Sequence, residues 1–348
     1  MGNSVSVTVP EKMMAATINE ASGPIELSEV AVPRPRSGQV LVKVDSSPIN
    51  PSDVAHTHGK YAHTAKFPAM LGFEGSGVVV RSGGGVMANY MLGKRVSFYA
   101  VHSGAWAEYV VVDAMSTVSL PENISLEEGS MGFVNPMTIM MFLDIALKLR
   151  ARTVILTAGA SAVSRMFARV LNEQGIPVVL IVRRKEQEDL LRNENPKYFI
   201  LNQTSENFAE DLKQIAQIQG AKLCFDAVGG ELTVQIVNAL PAKSTIFIYG
   251  SLSGKKVELE VGPLLFNAQS VRGFHAKHYL STLGKLDMLR LFLRYRKYRS
   301  LGLFKTQVSR KFGLDEIKEA LTYYKKNMTE GKVLILPASR AGAAAQTS

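Results

Sequence analysis

The residues best suited to bind a phosphate lie in a turn between a predicted strand, residues 153–156, and a predicted helix. Small residues let the backbone approach a pyrophosphate, and the amides at a helix N-terminus carry partial positive charge. The fingerprint Gly-x-Gly-x-x-Gly has serine at two of its three glycine positions here, so the motif alone also fits an ordinary tight turn. The candidate cofactor-binding residues of this turn are Gly159, Ser161, Ala162 and Val163.

Three cations follow the next predicted strand, residues 177–182. They are Arg183, Arg184 and Lys185. An enzyme specific for NAD places Asp or Glu at this point, against the adenosine ribose hydroxyls. Cations would instead bind the 2′-phosphate of NADP(H) through charge-assisted hydrogen bonds. The sequence therefore predicts NADP(H) as the cofactor, with a solvated basic turn as the alternative.

The elements that must position these residues change in character along the chain. The first third holds short β-forming runs broken by Gly and Pro, which predict a β-rich domain. From about residue 125 helical stretches alternate with compact apolar runs, which indicates βαβ units and a parallel sheet. After about residue 275 we expect a long amphipathic basic helix, a helix near 315–326 and a final strand at 332–336.

Composition excludes several protein classes. The chain has 348 residues, of which 46% are hydrophobic and 20% charged, so it is long and apolar enough for two packed domains. A single cysteine, Cys224, excludes a disulfide framework and a four-cysteine zinc lobe, and it favours a reducing compartment. No segment reaches the roughly 18 uncharged apolar residues of a membrane span. We expect a cytoplasmic protein, with peripheral membrane association and a mitochondrial location left open.

Segments spread in order from about residue 12 to 337 resemble the medium-chain dehydrogenase/reductase superfamily, in its zinc-free quinone oxidoreductase and 2-enoyl reductase branch. The collinearity of these segments is far more specific than any single motif. They are Ile49 to Asp53, Pro68 to Gly77, Asn135 to Thr138, Phe225 to Gly230, Tyr249 to Gly254 and Gly331 to Val333.

This resemblance implies an α/β fold: a GroES-like β-rich catalytic domain and a Rossmann domain with a doubly wound parallel sheet, with the active site in the cleft. The expected boundaries are 12–124 for the N-terminal part of the catalytic domain, 125–275 for the NADP(H)-binding domain and 276–340 for the return to the catalytic domain. The family also implies a homodimer.

The resemblance bears on metal binding as well. Asn50, Phe73 and Asn135 stand where zinc alcohol dehydrogenases place their Cys, His and Cys ligands, and none of them is a plausible zinc ligand. Glu74 follows the replaced histidine and is expected to be a structural acceptor. A separate metal site built from His56, His58 and His63 is the alternative; the prediction is that the chain holds no metal.

Site residues can be carried over from the family pattern. Tyr61 lies where related enoyl reductases have a tyrosine that supplies a proton or a hydrogen bond. The alternatives are a purely packing role for Tyr61, and Lys60 or His63 of the same loop as the proton source. Asn50 is the second catalytic candidate, as a polar contact near the nicotinamide. Thr138, Tyr249 and Gly250 are the expected cofactor-lining positions.

The predicted function is NADPH-dependent, zinc-independent reduction of a quinone, or of the C=C bond of an enone or enoyl thioester. Without a Lewis acid, conjugate reduction is easier than reduction of a simple ketone, because hydrogen bonds can stabilise the enolate-like oxygen. The alternative class is a catalytically weak or inactive NADP(H)-binding accessory or scaffold subunit, since two fingerprint glycines are serine.

The formal charge of +10 is unevenly distributed. Residues 276–348 carry the whole excess, and Arg290–Lys311 contains no acidic residue. Leu286, Leu289, Leu291, Phe292 and Leu293 are expected to form the apolar side of the basic helix. Contact with RNA or an anionic membrane through Arg290–Lys311 is a third possible function. The start of the chain also matches the N-myristoylation pattern, with Gly2 as acceptor.

Overall fold

The computed structural model describes residues 8–60, 66–100 and 103–338. The chain divides into two compact units. The first combines residues 1–135 with 306–348, and the second holds residues 136–305. The first unit is therefore assembled from two segments that lie far apart in the sequence.

Antiparallel sheets dominate the first unit. One sheet has the order β2-β1-β4, and the other has the order β15-β16-β3-β5-β6-β8, with β7 paired to β3. The strands are β1 Lys12–Ile18, β2 Ile25–Ala31, β3 Gln39–Pro48, β4 Ala69–Met70, β5 Glu74–Ser82, β6 Arg95–Tyr99, β7 Tyr109–Asp113, β8 Thr117–Ser119, β15 Val308–Gly313 and β16 Lys332–Leu336. The helices are α1 Pro51–Thr57, α2 Val86–Met91, α3 Leu126–Ser130 and α12 Ile317–Lys326.

The long strand β3 shows why these residues form a sheet with one buried face. Val42 and Val44 are buried, whereas Lys43 and Asp45 between and beyond them are exposed. This alternation matches the two-residue period of a strand. The buried valines pack with Val96 and Phe98 of β6, so the core of the larger sheet is aliphatic and aromatic.

The second unit is built on a parallel sheet with the order β11-β10-β9-β12-β13-β14. Numbered from β9, this is the 3-2-1-4-5-6 order of a dinucleotide-binding fold. The strands are β9 Val154–Leu156, β10 Val178–Val182, β11 Phe199–Asn202, β12 Leu223–Asp226, β13 Thr245–Ile248 and β14 Ser270–Gly273. The helices are α4 Val134–Lys148, which begins just before the unit, α5 Ala162–Glu173, α6 Lys185–Glu194, α7 Phe208–Ile218, α8 Glu231–Ala239, α9 Val261–Phe266, α10 Ala276–Ser281 and α11 Lys285–Ser300.

Helices cover both faces of this sheet, as neighbouring residues of β12 show. Cys224 is a buried free thiol in a cluster with Phe208 of α7 and Ile236 of α8. Phe225 stacks instead on Phe142 of α4, with ring centroids 4.1 Å apart. Both faces of a parallel sheet are normally buried in this way. The predicted fold class, a β-rich domain plus a doubly wound parallel sheet, is confirmed.

The unit boundaries differ from those expected from the sequence. The structure places residues 125–135 with the antiparallel sheets and residues 276–305 with the parallel sheet. The second difference has a clear cause in α4, because the Asp144 carboxylate accepts hydrogen bonds from Tyr279 at 2.7 Å and Arg294 at 3.0 Å. These bonds attach α10 and α11 to the parallel-sheet unit.

The apolar side expected for the basic helix is also corrected. In α11 the buried residues are Leu291, Tyr295 and Tyr298. Leu286, Leu289, Phe292 and Leu293 are exposed, so of the leucines and phenylalanine expected on the apolar side only Leu291 packs inward. Within the described residues, no helix is both long enough and apolar enough to cross a membrane.

Candidate active site

The phosphate-binding candidates form a tight turn between β9 and α5. Ser161 is the N-cap of α5, and its hydroxyl accepts from the Ser164 amide at 3.2 Å. The Ser164 hydroxyl donates to the Thr157 carbonyl at 3.0 Å, so both serine side chains brace the turn. Ala162 and Val163 are half-exposed, and within the described part of the chain their amides have no protein acceptor. These two amides are suited to an anion.

Gly159 fastens this turn to the neighbouring strand β10. Its amide donates to the Ile181 carbonyl at 2.8 Å. A Cβ at Gly159 would lie 2.9 Å from the Cβ of Leu180, closer than real side chains approach. Glycine is therefore required at this position of the fingerprint, whereas Ser161 caps α5 and Ser164 braces the turn from inside the helix.

The three predicted cations lie just beyond β10, which pairs in parallel with β9. Arg183 and Arg184 are exposed. Lys185 begins α6, where its ammonium pairs with Glu188 at 3.4 Å and Asp189 at 3.3 Å. Lys185 is thus partly neutralised within its own helix, which leaves less of its charge for a phosphate.

A buried carboxylate joins the carboxyl ends of β9 and β12, where the strand order reverses. Asp226 accepts from the Thr157 hydroxyl at 2.7 Å and from the Thr233 hydroxyl at 2.5 Å. The amides of Val228 and Gly229 also donate to it. This arrangement braces the switch point of the sheet, where such folds bind their ligands.

The remaining cofactor-lining candidates follow β13 or lie on α4. A Cβ at Gly250 would lie 2.7 Å from the Ala227 carbonyl, so the two chain segments approach closely there. Tyr249 is half-buried and meets the Phe142 ring edge-on at 4.9 Å, and burial raises its pKa, which keeps the hydroxyl protonated. Thr138 is half-exposed on α4, one turn before Phe142.

The first unit has a buried polar centre around Asn50, the N-cap of α1. The Asn50 carbonyl oxygen accepts from the Lys332 ammonium, and its amide nitrogen donates to Glu74 Oε1 at 2.8 Å. The other oxygen of Glu74 accepts from the Val134 amide at 2.7 Å. Asp53 accepts from the amides of Asn50 at 2.7 Å and Phe73 at 2.9 Å. We call Lys332, Asn50, Glu74 and Asp53 the buried centre.

The buried centre combines one ammonium with two carboxylates in a site almost without water contact. Burial lowers the pKa of Lys332, and the carboxylates of Glu74 and Asp53 oppose that effect. Burial raises the pKa of Glu74, and it raises the pKa of Asp53 to about 7. The carboxylate charge exceeds the ammonium charge, which favours a retained proton on one carboxyl group.

The donor chemistry at the positions aligned with zinc ligands does not fit zinc. Both polar groups of the Asn50 amide are engaged, and Phe73 meets the His56 ring at 5.2 Å. His58 instead approaches the Ser22 hydroxyl at 3.1 Å. Among the described residues no group of three or more His, Cys, Asp or Glu side chains could hold a metal ion.

Tyr61, His63 and the acylation candidate Gly2 lie outside the described residues. Asn50 is only 2% exposed, so its surroundings favour a positioning role over direct contact with a cofactor. Lys332 is the residue that sequence reasoning missed. The sequence feature that could have identified it is a lysine at the start of an otherwise apolar strand, followed by Val333–Leu336. A lysine buried with such a strand needs acceptors and a counter-charge for its ammonium group.

Comparisons with known proteins agree with this fold. Residues 36–122 match the family model of the alcohol dehydrogenase GroES-like domain, and residues 197–335 match that of the zinc-binding dehydrogenase. A mitochondrial enoyl-[acyl-carrier-protein] reductase of Caenorhabditis elegans is 31% identical over 72% of this chain and 73% of its own length.

Solved structures give the same result. A candidate NADPH:quinone reductase of Mesorhizobium loti has 30% sequence identity and a TM-score of 0.86, covering 95% of this chain and 100% of its own. A mycobacterial protein solved in complex with NADPH has a TM-score of 0.79 at 20% identity, with 93% of this chain and 100% of its own covered, and shows the fold alone.

The chain belongs to the medium-chain dehydrogenase/reductase superfamily, in its quinone and enoyl reductase branch. It is accordingly an oxidoreductase.

Removing the buried ammonium should destabilise the first unit. We expect Lys332→Met to lower the free energy of unfolding by about 3–5 kcal/mol, because it leaves the buried carboxyl groups of Glu74 and Asp53 without a counter-charge. The exposed Lys325→Met is the matched control and should change it by less than about 0.5 kcal/mol. In a double-mutant cycle Glu74→Gln should recover at least about 1 kcal/mol of the Lys332→Met loss; strict additivity in urea unfolding would contradict the coupling.

The pKa of Asp53 predicts a pH dependence of stability. The folded chain holds a proton on Asp53 up to about pH 7, whereas the unfolded chain releases it near the ordinary value of 3.8. The free energy of unfolding should therefore fall as pH rises from about 5 to 7. The groups that act on this carboxyl are Glu74, Lys332 and Tyr324. Asp53→Asn should show a flatter profile in urea unfolding, and identical profiles would refute this titration.

Proposed function

We propose that the protein is an NADPH-dependent reductase of quinones or of α,β-unsaturated carbonyl compounds. The observation that carries the proposal is the pair of exposed arginines at the end of β10, beside the β9 turn. The relatives named enoyl reductase and quinone reductase support both substrate classes. Bound NADPH supplies the hydride for such a reduction.

The parallel-sheet unit provides separate groups for the pyrophosphate and for the 2′-phosphate of the cofactor. The Ala162 and Val163 amides face the pyrophosphate at the start of α5. Arg183 and Arg184 bind the 2′-phosphate, whose charge a carboxylate at this point would repel. Lys185 adds less because Glu188 and Asp189 already pair with it. Tyr249, Gly250 and Thr138 complete the proposed lining.

Tyr61 is the proposed hydrogen-bond donor to the developing oxyanion of the substrate, and it delivers the proton that completes conjugate reduction. Asn50 acts through structure: it fixes the start of α1, which ends four residues before Tyr61 in the sequence. In this proposal the buried centre holds the start of α1 in place, and no metal takes part.

A non-catalytic NADP(H)-binding subunit is the second candidate. The observation that favours it is that the side chains of Ser161 and Ser164 are both engaged in hydrogen bonds within the turn. The backbone amides of Ala162 and Val163 nevertheless remain suited to an anion, which favours the reductase.

The proposal also includes a homodimer, a cytoplasmic location, acylation at Gly2 and an anionic partner for Arg290–Lys311.

Cofactor preference gives a direct test of the arginines. Arg183→Glu with Arg184→Glu should raise the KM for NADPH at least about tenfold while changing the KM for NADH far less, because only NADPH carries the 2′-phosphate. The charge-matched control reverses two exposed cations on α7 and before β12, Lys213→Glu with Lys222→Glu. Equal effects of the arginine changes on both cofactors would remove the assignment.

Substrate turnover tests the reaction itself. We expect NADPH oxidation with at least one of 1,2-naphthoquinone, a simple enone and crotonyl-CoA. Tyr61→Phe should lower kcat at least about tenfold, the usual scale for loss of a general acid. Cofactor binding without turnover on any of the three would favour the accessory subunit. Unchanged kcat in the tyrosine variant would leave Tyr61 as a packing residue.

A further inference from the structure

Helix α11 carries a row of exposed leucines on the side opposite its buried residues. Leu286, Leu289 and Leu293 are 71%, 53% and 52% exposed. Their spacing of i, i+3 and i+7 places them on one face of a helix. The buried side chains Leu291 and Tyr295 lie on the opposite face. We call Leu286, Leu289 and Leu293 the α11 stripe.

Cations border the α11 stripe on both sides. At 3.6 residues per turn, Lys285 and Arg296 fall along one border, and Arg290 and Lys297 fall along the other. All four are exposed. The single acid of the helix, Asp287, lies off the α11 stripe, and its carboxylate is 3.8 Å from the Lys148 ammonium and 3.1 Å from the Arg290 guanidinium.

This combination selects among possible partners. RNA would engage the cations but would leave the leucines in water, since its backbone is polar and charged. A second copy of this chain meeting the same face across a two-fold axis would bring like-charged borders together, which is unfavourable. An anionic bilayer satisfies both features: leucines enter the boundary between headgroups and acyl chains, while lysine and arginine reach the lipid phosphates.

We propose that the α11 stripe and its cationic borders form a docking surface for an anionic lipid bilayer. The surface accounts for the position of the charge excess in the C-terminal part of the chain, which the cofactor site does not use. The docking is reversible, because a single interfacial helix face inserts shallowly. It is independent of the proposed reductase activity, so each can fail without the other.

Vesicle flotation tests the surface without any activity measurement. The full chain with Gly2→Ala excludes a contribution from an acyl chain. It should float with phosphatidylcholine vesicles containing about one third phosphatidylserine, and not with phosphatidylcholine alone. Changing the three stripe leucines to Gln should lower partitioning at least about tenfold. Arg290→Gln, Arg296→Gln and Lys297→Gln together should lower it about a hundredfold.

Matched controls make changes of the same chemical kind elsewhere on the surface. Leu92, Leu149 and Ile218 are similarly exposed, and their joint change to Gln should leave partitioning unaltered. A neutralised set of exposed lysines, Lys213→Gln, Lys222→Gln and Lys256→Gln, should do the same.

A spectroscopic probe reports insertion directly. Trp106 is the only natural tryptophan and is fully buried, so an added Leu289→Trp provides the exposed reporter. Its emission should shift to shorter wavelength with phosphatidylserine vesicles. Vesicle binding that survives loss of the stripe leucines would overturn the proposal. So would retention on RNA without vesicle binding, or conversion of a dimer to a monomer by the leucine changes with no effect on vesicles.

Discussion

The buried hydrogen bond between the Lys332 ammonium and the Asn50 amide joins two segments that are 282 residues apart in the sequence. Lys332 belongs to β16, which returns to the first unit after the whole parallel-sheet unit has been made. Because the ammonium is buried, it requires an acceptor, which is the Asn50 carbonyl oxygen. The amide nitrogen of Asn50 in turn donates to Glu74 of β5. The assembly of the first unit from two chain segments therefore depends on this polar centre as well as on strand pairing.

The same centre determines what the first unit can contribute to chemistry. In zinc dehydrogenases the aligned positions hold ligands, whereas here they hold an engaged amide and an aromatic ring against His56. The charge at the centre comes from a lysine and two carboxylates. We infer that the centre keeps α1 in place, and that the groups for proton transfer come from the segment that follows this helix.

The parallel-sheet unit is also braced by a buried carboxylate that is held by hydrogen bonds. Asp226 is buried and saturated by hydroxyl and amide donors, and it links β9 to β12 where the strand order reverses. Of the two serines at glycine positions of the fingerprint, Ser161 caps α5 and Ser164 donates back to the Thr157 carbonyl, and neither occupies the amides of Ala162 and Val163. Serine at these positions therefore braces the turn by side-chain hydrogen bonds and leaves it suited to an anion.

Much of this could be predicted from the sequence because its signals are local. The β9 turn and the cations after β10 follow from short runs of residues, and the fold class follows from the order of those runs. Lys332 was missed because its acceptors lie in distant segments. The prediction of the apolar side of α11 was wrong because the helix has leucines on two faces, and periodicity alone does not show which face packs inward. The pairing of Lys185 depends on rotamers that a sequence does not specify.

The most direct test of the central claim is the zinc content of the purified protein, measured together with turnover in the proposed NADPH-dependent reaction before and after exhaustive treatment with a strong chelator. If a lysine, an amide and two carboxylates organise the first unit, zinc is far below one atom per chain and turnover does not change. One tightly held zinc per chain, with turnover lost on its removal and restored by zinc alone, would contradict the account.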